Sequence, residues 1–243
     1  MSNSIVIIPT YNEIENISAI INAVFSLEKT FHVLIVDDNS PDLTYKKVEE
    51  LQELFPEQLF LEVRKKKSGL GTAYIHGFKW SLDKHYDYIF QMDADFSHNP
   101  KDLIRLYNAC ANHNADLAIG SRYVTGVNVV NWPLSRVILS YFASVYVRII
   151  TGMKIHDTTA GFVCYKRKVL EGLNLDKIKF IGYAFQIEMK FKSYLLKFNI
   201  TEIPVIFTDR VKGVSKLSSG IISEAIFGVI TMKLKSIFKK RSN

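Results

Sequence analysis

The first half of the chain alternates short, continuously apolar runs with stretches of helical periodicity. The apolar runs predict strands at Ser4–Ile8, Val33–Val36, Phe60–Val63, Tyr88–Met92 and Leu117–Gly120. Between them, helices are predicted at Ile14–Leu27, Leu43–Leu54, Thr72–Asp83 and Lys101–Asn112. Strands that are apolar on both faces and separated by helices are typical of a mostly parallel sheet covered by helices on both sides. The sequence therefore predicts an α/β fold.

The pattern changes after residue 126. Residues Val137–Ile150 are apolar nearly all round, and periodicity alone leaves open whether they pack in the core or lie at a membrane surface. Phe185–Phe198 predicts another helix, and Ile200–Phe207 predicts a strand. Over residues 221–243, apolar residues recur at helical spacing among basic ones, which predicts an amphipathic basic helix.

Polar clusters follow the predicted strands at their carboxyl ends. They are Pro9-Thr10-Tyr11-Asn12-Glu13, Asp37-Asp38-Asn39-Ser40-Pro41-Asp42, Asp93-Ala94-Asp95 and Gly120-Ser121-Arg122-Tyr123. The carboxyl ends of parallel strands meet at one edge of the sheet, and α/β folds of this kind bind ligands there. We therefore expect one binding site that draws on all four segments.

Asp93 and Asp95 are the candidates for a metal site. Two carboxylates this close repel each other unless a cation or a proton lies between them. Mg²⁺ and Mn²⁺ prefer oxygen ligands and often share them with a substrate diphosphate. An isolated Asp-x-Asp is more often a solvated strand end, so the metal interpretation depends on the other polar clusters at the same edge.

Other polar residues have two interpretations each. The cluster that starts at Asp37 has a binding and a capping interpretation: Asp37 is placed to bind a ribose or base edge, and Asp38, Asn39, Ser40 and Asp42 are suited to cap the helix that follows. Both can hold together, and local signal does not separate binding from capping alone. The Gly69-Leu70-Gly71 turn lacks the Gly-Lys-Ser/Thr of a phosphate-binding P-loop and predicts a tight turn. Three cationic residues are candidates for binding phosphate: Arg122, Arg210 and Lys216. The alternative is that each is a solvated surface charge.

The composition and charge of the chain limit the partners and the cellular compartment expected for it. The chain has 243 residues and a net charge of +7, and its basic end suits nucleic acid, an anionic membrane or solubility alone. No recognisable reading helix or RNA-binding motif is present, so nucleic acid is not expected as a partner. Cys110 and Cys164 form no disulfide framework, which fits a reducing compartment. No secretory signal is predicted, and no apolar run approaches the roughly 20 residues that span a bilayer, so no transmembrane anchor is expected.

These segments together resemble the family 2 glycosyltransferases, and within them the dolichol-phosphate (polyprenol-phosphate) mannosyltransferases. The resemblance covers about residues 5–217 in order. It rests on Pro9-Thr10-Tyr11-Asn12-Glu13, Val36-Asp37-Asp38-x-Ser40-Pro41-Asp42, Lys67-x-Gly69-Leu70-Gly71-Thr72, Met92-Asp93-Ala94-Asp95-Phe96-Ser97-His98, Gly120-Ser121-Arg122-Tyr123 and Arg210-x-x-Gly213-x-Ser215-Lys216-Leu217. So many motifs in one order are far more specific than the carboxylate pair alone.

The resemblance implies a nucleotide-diphospho-sugar transferase (GT-A, Rossmann-like) fold. Its central sheet would be mostly parallel, with helices on both faces and C-terminal amphipathic helices. The catalytic domain would span residues 1–220, with a donor-binding part at 1–125 and an acceptor-side part at 126–220. The basic amphipathic helix would then cover residues 221–243.

The resemblance also implies roles for single residues. The guanosine site would be lined by Pro9, Tyr11, Glu13, Ile35 and Asp37. Asp93 and Asp95 would hold Mg²⁺ or Mn²⁺, with Ala94 beside them, and would be catalytic together with Arg122. The donor diphosphate or the lipid phosphate would be bound by Arg122, Arg210 and Lys216, and the lipid phosphate by Arg136 and Ser140.

Some positions depart from the family pattern or have a supporting role. Ser97 stands where some relatives carry glutamine, which leaves open whether it is a third metal ligand. Leu43 stands where glycine is frequent, which predicts a changed start of the following helix. Asp157 and Glu188 are interpreted as positioning residues rather than bases.

The implied reaction transfers mannose from GDP-mannose to polyprenyl (dolichyl) phosphate with inversion. The implied setting is the cytoplasmic face of a membrane, where the protein would bind peripherally, with or without an anchoring partner. Two alternatives stay open: another family 2 transferase, such as a UDP-glucose-dependent polyprenyl-phosphate glucosyltransferase, and a non-catalytic nucleotide-sugar-binding subunit at the membrane.

Overall fold

The computed structural model describes residues 2–209 and 227–237. Within them the strands are β1 (Ser4–Thr10), β2 (His32–Asp37), β3 (Leu59–Val63), β4 (Tyr88–Gln91), β5 (Leu117–Ser121), β6 (Val129–Val130), β7 (Val163–Lys166), β8 (Ile200–Pro204) and β9 (Phe207–Thr208). The α-helices are α1 (Ile17–Phe25), α2 (Thr44–Leu54), α3 (Leu70–Asp83), α4 (Asp102–Ala111), α5 (Leu134–Thr151), α6 (Arg167–Gly172) and α7 (Tyr183–Leu195). A 3₁₀ turn covers Leu175–Lys177, and residues 227–237 are helical.

Seven of these strands form one sheet in the order β3-β2-β1-β4-β7-β5-β8. The pairs of β1 with β2 and β4, of β2 with β3 and of β5 with β8 are parallel. Strand β7 runs antiparallel to both β4 and β5. The predicted mostly parallel α/β sheet is therefore confirmed, and the antiparallel β7 is an addition that the sequence analysis did not predict. The short strands β6 and β9 pair separately.

Strand β1 illustrates how the core forms on both faces of the sheet. Side chains alternate along a strand, so Ile5 and Ile7 lie in one apolar cluster and Val6 and Ile8 in the other. All four are fully buried. The first cluster packs against α3 and α7, and the second against α1 and α4. This double burial explains why β1, β2, β4 and β5 were recognisable as continuous apolar runs.

Helix α5 differs from its prediction. It covers Leu134–Thr151 rather than 137–150, and only 17% of it is buried. Its 18 residues have a mean hydropathy of 1.3, so by length and composition it could cross a membrane, which corrects the expectation that no segment is long enough. The side chains of Leu134, Phe142 and Ile149 are 73%, 62% and 75% exposed, so most of this helix does not pack in the core.

The helical residues 227–237 pack against the apolar core and against the end of α5. Val229 is fully buried in the cluster that also contains Val147 of α5. The Lys233 amine donates a hydrogen bond to the carbonyl of Thr151, the last residue of α5, at 2.9 Å. The part of the predicted basic helix that the structure describes is thus helical, while residues 221–226 and 238–243 lie outside the described residues.

A candidate active site at the carboxyl edge of the sheet

Asp93 and Asp95 follow directly after β4, at the carboxyl edge of the sheet. The Asp93 Oδ1 atom accepts a hydrogen bond from the Tyr74 hydroxyl at 3.2 Å. The Asp95 Oδ1 atom accepts one from the Ser97 backbone N–H at 3.1 Å and another from the Ser97 hydroxyl. Asp95 is 8% exposed. Each carboxylate is therefore held by a hydroxyl donor, Asp93 by Tyr74 of α3 and Asp95 by Ser97 of its own loop, and Ala94 between them is buried.

Two buried rings, those of Tyr74 and His98, lie beside this carboxylate pair and have shifted pKa values. Burial raises the pKa of Tyr74 well above its usual value, and the neighbouring Asp93 raises it further, so the hydroxyl stays protonated as a donor. Burial lowers the pKa of His98, although Asp93 and Asp95 oppose the shift. The His98 Nδ1 atom lies 3.2 Å from the Asp93 backbone N–H, and its ring stacks on Phe162 at 4.8 Å. His98 is therefore neutral, and its Nδ1 atom accepts a hydrogen bond from the Asp93 backbone N–H.

The donor chemistry of this pair fits a hard divalent cation. Carboxylate oxygens suit Mg²⁺ and Mn²⁺, which leave several positions for water and substrate phosphate oxygens. Among residues 2–209 and 227–237, no group of three or more histidine, cysteine, aspartate or glutamate side chains could hold a metal ion. Asp93 and Asp95 would therefore hold the ion with oxygens from a substrate. The Ser97 hydroxyl lies against Asp95, and its role as a ligand stays a prediction.

Asp37 orders the loops that follow β1 and β2. Its fully buried carboxylate accepts hydrogen bonds from the Thr10 hydroxyl at 2.6 Å, the Ser40 N–H at 2.8 Å and the Ser40 hydroxyl at 2.7 Å. The start of α2 is held by a different acid, because Asp42 accepts from the Thr44 N–H at 3.0 Å and hydroxyl at 2.6 Å. Asp42 is one of the predicted capping residues, and contact of Asp37 with a nucleoside stays a prediction.

The remaining predicted guanosine residues take different positions. Pro9, Tyr11 and Glu13 are partly exposed at the edge, and the Lys67 amine lies 4.1 Å from the centre of the Tyr11 ring. Ile35 is fully buried within β2, where its side chain belongs to the apolar core. The structure therefore brings Pro9, Tyr11 and Glu13 together on an accessible surface and leaves no exposed surface on Ile35.

An arginine that the sequence analysis did not select ties this edge together. The Arg64 backbone N–H donates to the Asp37 carbonyl at 2.7 Å, and its guanidinium binds the Asp38 carboxylate and, at 2.8 Å, the Thr72 hydroxyl. The side chains of Arg64 and Asp38 are only 13% and 8% exposed. This network joins the loops after β2 and β3 to the first turn of α3. Arg64 lies outside every motif, so no sequence signal pointed to it.

Arg122, at the end of β5, forms a buried ion pair with Asp157. Its Nε and Nη2 atoms each donate to one carboxylate oxygen at 2.7 Å, and its backbone N–H donates at 2.9 Å. Burial alone would raise the pKa of Asp157, but the Arg122 charge and hydrogen bonds outweigh it, so that the pKa lies below its usual range. The bidentate pair fixes the plane of the guanidinium. Asp157 is thus a positioning residue, as predicted.

Arg136 and Trp132 extend this cationic region toward α5. The Arg136 guanidinium lies 3.9 Å from the centre of the Trp132 ring, and its Nη1 atom donates to Asp209 at 2.8 Å. The Arg122 guanidinium lies 5.4 Å from the same ring. Trp132 therefore lies between the two predicted phosphate-binding arginines. Ser140 is partly buried one turn further along α5.

Four further positions that the sequence analysis named complete the comparison. Glu188 accepts hydrogen bonds from the backbone N–H groups of Lys179 at 2.8 Å and Phe180 at 3.1 Å, which confirms that it orders a loop. Leu43 directly precedes α2 and has a left-handed backbone with φ of 64°, a conformation that glycine adopts at less cost, and the changed helix start stays a prediction. Arg210 and Lys216 lie outside the described residues.

A mostly parallel sheet with a carboxylate pair and a buried arginine at its carboxyl edge is the architecture of an α/β transferase of the GT-A fold. A family model described as glycosyl transferase family 2 matches residues 5–173. The match spans more than half of the chain, and the chain therefore belongs to glycosyltransferase family 2.

Two curated relatives are similar over most of their length. The polyprenol monophosphomannose synthase of Mycolicibacterium smegmatis is 45% identical over 226 residues, which is 93% of this chain and 85% of that protein. The undecaprenyl-phosphate mannosyltransferase of Micrococcus luteus is 43% identical over 223 residues, covering 92% of this chain and 90% of that protein. Such identity over nearly whole chains extends the family assignment beyond the matched domain.

A solved structure supports the fold. Glucosyl-3-phosphoglycerate synthase from Mycobacterium tuberculosis, in complex with Mn²⁺, UDP and glucosyl-3-phosphoglycerate, aligns with a TM-score of 0.69. The alignment covers 95% of this chain and 79% of the other, at 15% sequence identity. At that identity the similarity establishes the shared GT-A fold.

Proposed function

We propose that this enzyme transfers mannose from GDP-mannose to a polyprenyl phosphate, with inversion at the anomeric carbon, and releases GDP. The two relatives with 45% and 43% identity carry the names of polyprenyl-phosphate mannosyltransferases. The observation that carries the proposal is the arrangement at the carboxyl edge. Asp93 and Asp95 suit a metal-bound donor diphosphate, and the arginines around Trp132 at the start of α5 suit the acceptor phosphate.

The residues in the site have separate tasks in this reaction. Asp93 and Asp95 would hold Mg²⁺ or Mn²⁺, which supplies Lewis-acid stabilisation of the charge that develops on the departing GDP. Tyr74 and Ser97 keep the two carboxylates oriented. Arg122, held rigid by its bidentate pair, presents a fixed guanidinium that needs no reorganisation during the reaction.

The acceptor requires little proton chemistry. A polyprenyl phosphate is already anionic at neutral pH, so its oxygen attacks the anomeric carbon without a strong general base. The buried carboxylate nearest to Arg122 is Asp157, which is bound by three donors of that residue and keeps a lowered pKa. Asp157 therefore acts through Arg122 and not on the acceptor. Attack on the face opposite to the leaving GDP gives inversion in a single displacement.

The protein would bind peripherally at the cytoplasmic face of a membrane, through α5 and the helical residues 227–237. Exposed apolar side chains cover α5, and in the second helix Phe227 and Leu234 are 70% and 50% exposed. Lys233 and Lys235 add positive charge beside them. An exposed apolar face next to basic residues is suited to an interface with anionic lipids. Arg136 lies in the first turn of α5, so this orientation would bring a lipid phosphate to the site.

The reaction is tested by incubating the protein with labelled GDP-mannose, polyprenyl phosphate and Mg²⁺ or Mn²⁺, followed by extraction into organic solvent. Label should enter the lipid phase, and chelation or Asp95→Asn should reduce the rate by at least about 100-fold. Asp87→Asn is the matched control, because Asp87 is exposed at the opposite end of β4. Turnover with UDP-glucose but not GDP-mannose would refute the donor, and full activity without a divalent ion would refute the metal site.

Membrane binding is tested by sedimentation with vesicles that contain anionic lipid. Phe142→Asp should weaken binding, because Phe142 is 62% exposed on α5. The matched control is Leu54→Asp, which places the same charge at a 70% exposed leucine at the end of α2. Equal binding by the wild type and both variants would contradict the membrane orientation.

A further inference from the structure

Gln186 has a buried amide group without a hydrogen-bond partner. It lies in the first turn of α7 and is 3% exposed, and neither its Oε1 nor its Nε2 atom is bonded by any residue that the structure describes. Other buried polar groups of the same helix are bonded: the Lys190 amine donates to Ala160 at 2.6 Å and the Ser193 hydroxyl to Met189 at 2.8 Å. An unpaired buried polar group costs about 1–3 kcal/mol, so two on one side chain require a reason.

The amide lies next to the metal carboxylates. A Cβ atom placed on Gly161 would be 3.7 Å from the Gln186 Nε2 atom, 3.8 Å from the His98 Cε1 atom and 3.9 Å from the Asp93 Oδ2 atom. Side chains from α7 and from the loop between β4 and α4 therefore surround one point above Gly161. Because glycine has no side chain, a space about the size of a methyl group is left at that point.

The chemistry of the amide indicates what would bind there. A carboxamide offers both a donor and an acceptor, so it pairs fully with a group that does the same. Phosphate oxygens only accept, and a metal ion would use the oxygen alone. Sugar hydroxyls both donate and accept, and two neighbouring hydroxyls match both amide atoms. In a nucleotide-diphospho-sugar the hexose is bonded directly to the diphosphate, and Asp93 would help to hold the ion that binds this diphosphate, so the hexose would lie near Asp93.

We propose that Gln186 binds hydroxyl groups of the donor hexose in the space above Gly161 and determines which sugar epimer the enzyme accepts. This inference rests on the proposed function, because it takes the ligand at Asp93 to be a sugar nucleotide. It assigns to α7 a role in donor-sugar specificity that is separate from nucleotide and metal binding. Gln186 thus differs from Asp157, which acts only through another residue.

Two variants test the proposal. Gln186→Leu keeps the approximate size and removes both polar atoms, and Gly161→Ala adds a methyl group at the open point, at ordinary contact distances from its neighbours. The matched control is Ser193→Ala, a buried polar deletion on the same helix whose hydroxyl bonds only its own helix. For each protein, kcat/KM is measured with GDP-mannose and with GDP-glucose, which differs only at carbon 2. The affinity for GDP with Mn²⁺ and the thermal unfolding temperature are measured in parallel.

Both test variants should lower kcat/KM for GDP-mannose by about 10- to 100-fold, as the loss of one or two hydrogen bonds implies. The preference for GDP-mannose over GDP-glucose should fall toward one, while the affinity for GDP with Mn²⁺ stays within about threefold of the wild type. The unfolding temperature of Gln186→Leu should not decrease, because no hydrogen bond within the protein is lost. Ser193→Ala should retain both the rate and the preference.

An unchanged sugar preference in Gln186→Leu would overturn the proposal, as would an equal loss of affinity for GDP with Mn²⁺, which would make Gln186 part of the metal or nucleotide site. Failure of the proposed function is a separate result, because it concerns the wild type. If the wild type uses another sugar nucleotide, the same comparison is made with that donor and its epimer, and the role of Gln186 is decided there.

Discussion

Lys190 makes the stability of this protein depend on pH in a way that one substitution isolates. Its side chain is fully buried on α7, and its amine donates to the Ala160 carbonyl at 2.6 Å. Burial lowers the pKa of this amine from 10.5 to about 7. The acids Asp157 and Glu202 oppose the shift and Arg122 adds to it, so desolvation remains the dominant cause. Below that pKa the protein therefore carries a buried cation.

The sign of the effect follows from proton uptake. Between about pH 7 and 10.5 the unfolded chain keeps this lysine protonated while the folded protein has released the proton. Unfolding then takes up a proton, so the free energy of unfolding rises with pH, by up to about 1.4 kcal/mol per unit for one group. The destabilisation is complete below the folded pKa and is gone above the unfolded pKa.

The test compares urea unfolding of the wild type and Lys190→Met at about pH 7.5 and about pH 9.5. The wild type should gain about 2–3 kcal/mol more than the variant across this interval. Lys192→Met is the matched control, since Lys192 is on the same helix but its side chain is 30% exposed, and it should keep the wild-type slope. Parallel pH profiles for the wild type and Lys190→Met would refute the reasoning. Only the change with pH is used, because Lys190→Met also leaves the Ala160 carbonyl without its donor and so alters the free energy of unfolding at every pH.

Three further substitutions test the structure by urea unfolding. Asp157→Ala should lower the free energy of unfolding by about 3–5 kcal/mol because it leaves the Arg122 charge buried, and adding Arg122→Met should recover part of the loss. A double variant no more stable than Asp157→Ala would contradict this. Leu43→Gly should raise the free energy of unfolding by up to about 1 kcal/mol because φ is 64° there, and a decrease would contradict it. Gly71→Ala should lower it by about 1–3 kcal/mol because the new Cβ would lie 2.9 Å from the Phe185 ring, and an unchanged value would show that the helices can separate.

The predictable part of the fold is the part with strong local signals. Strands β1, β2, β4 and β5 are buried on both faces, so they appear as continuous apolar runs bounded by polar clusters, whereas the edge strand β3 is mostly half-buried. Strand β7 is as short as β4 and contains three buried apolar residues, but the sequence analysis did not assign it. Its neighbours in the sheet, β4 and β5, both come earlier in the chain, and β7 lies between them and runs antiparallel to both. Only the tertiary structure places it there.

The candidate site divides in the same way. The carboxylates after β4 and Arg122 after β5 were predictable because strand ends are visible in the sequence. The pairing of Arg122 with Asp157 joins residues 35 positions apart, so each could be selected but not their contact. Gln186 could not be selected, since its significance lies in the absence of a partner within the described residues, and only coordinates reveal that.

Helix α5 would connect the proposed membrane orientation to the proposed chemistry. Its amino-terminal end lies at the Trp132–Arg136 contact, and its apolar side chains continue from Leu134 to Ile149. The backbone N–H groups at a helix amino terminus favour an anion, so Arg136 and the helix end act on a phosphate in the same sense. If α5 lies in the interface, a lipid phosphate that follows its surface reaches this end without leaving the plane of the headgroups. The carboxylates that would hold the donor lie at the same edge of the sheet as Arg122. Recognition of the lipid and of the sugar nucleotide would therefore meet at Arg122, which explains why its orientation is fixed by a buried carboxylate rather than left to solvent.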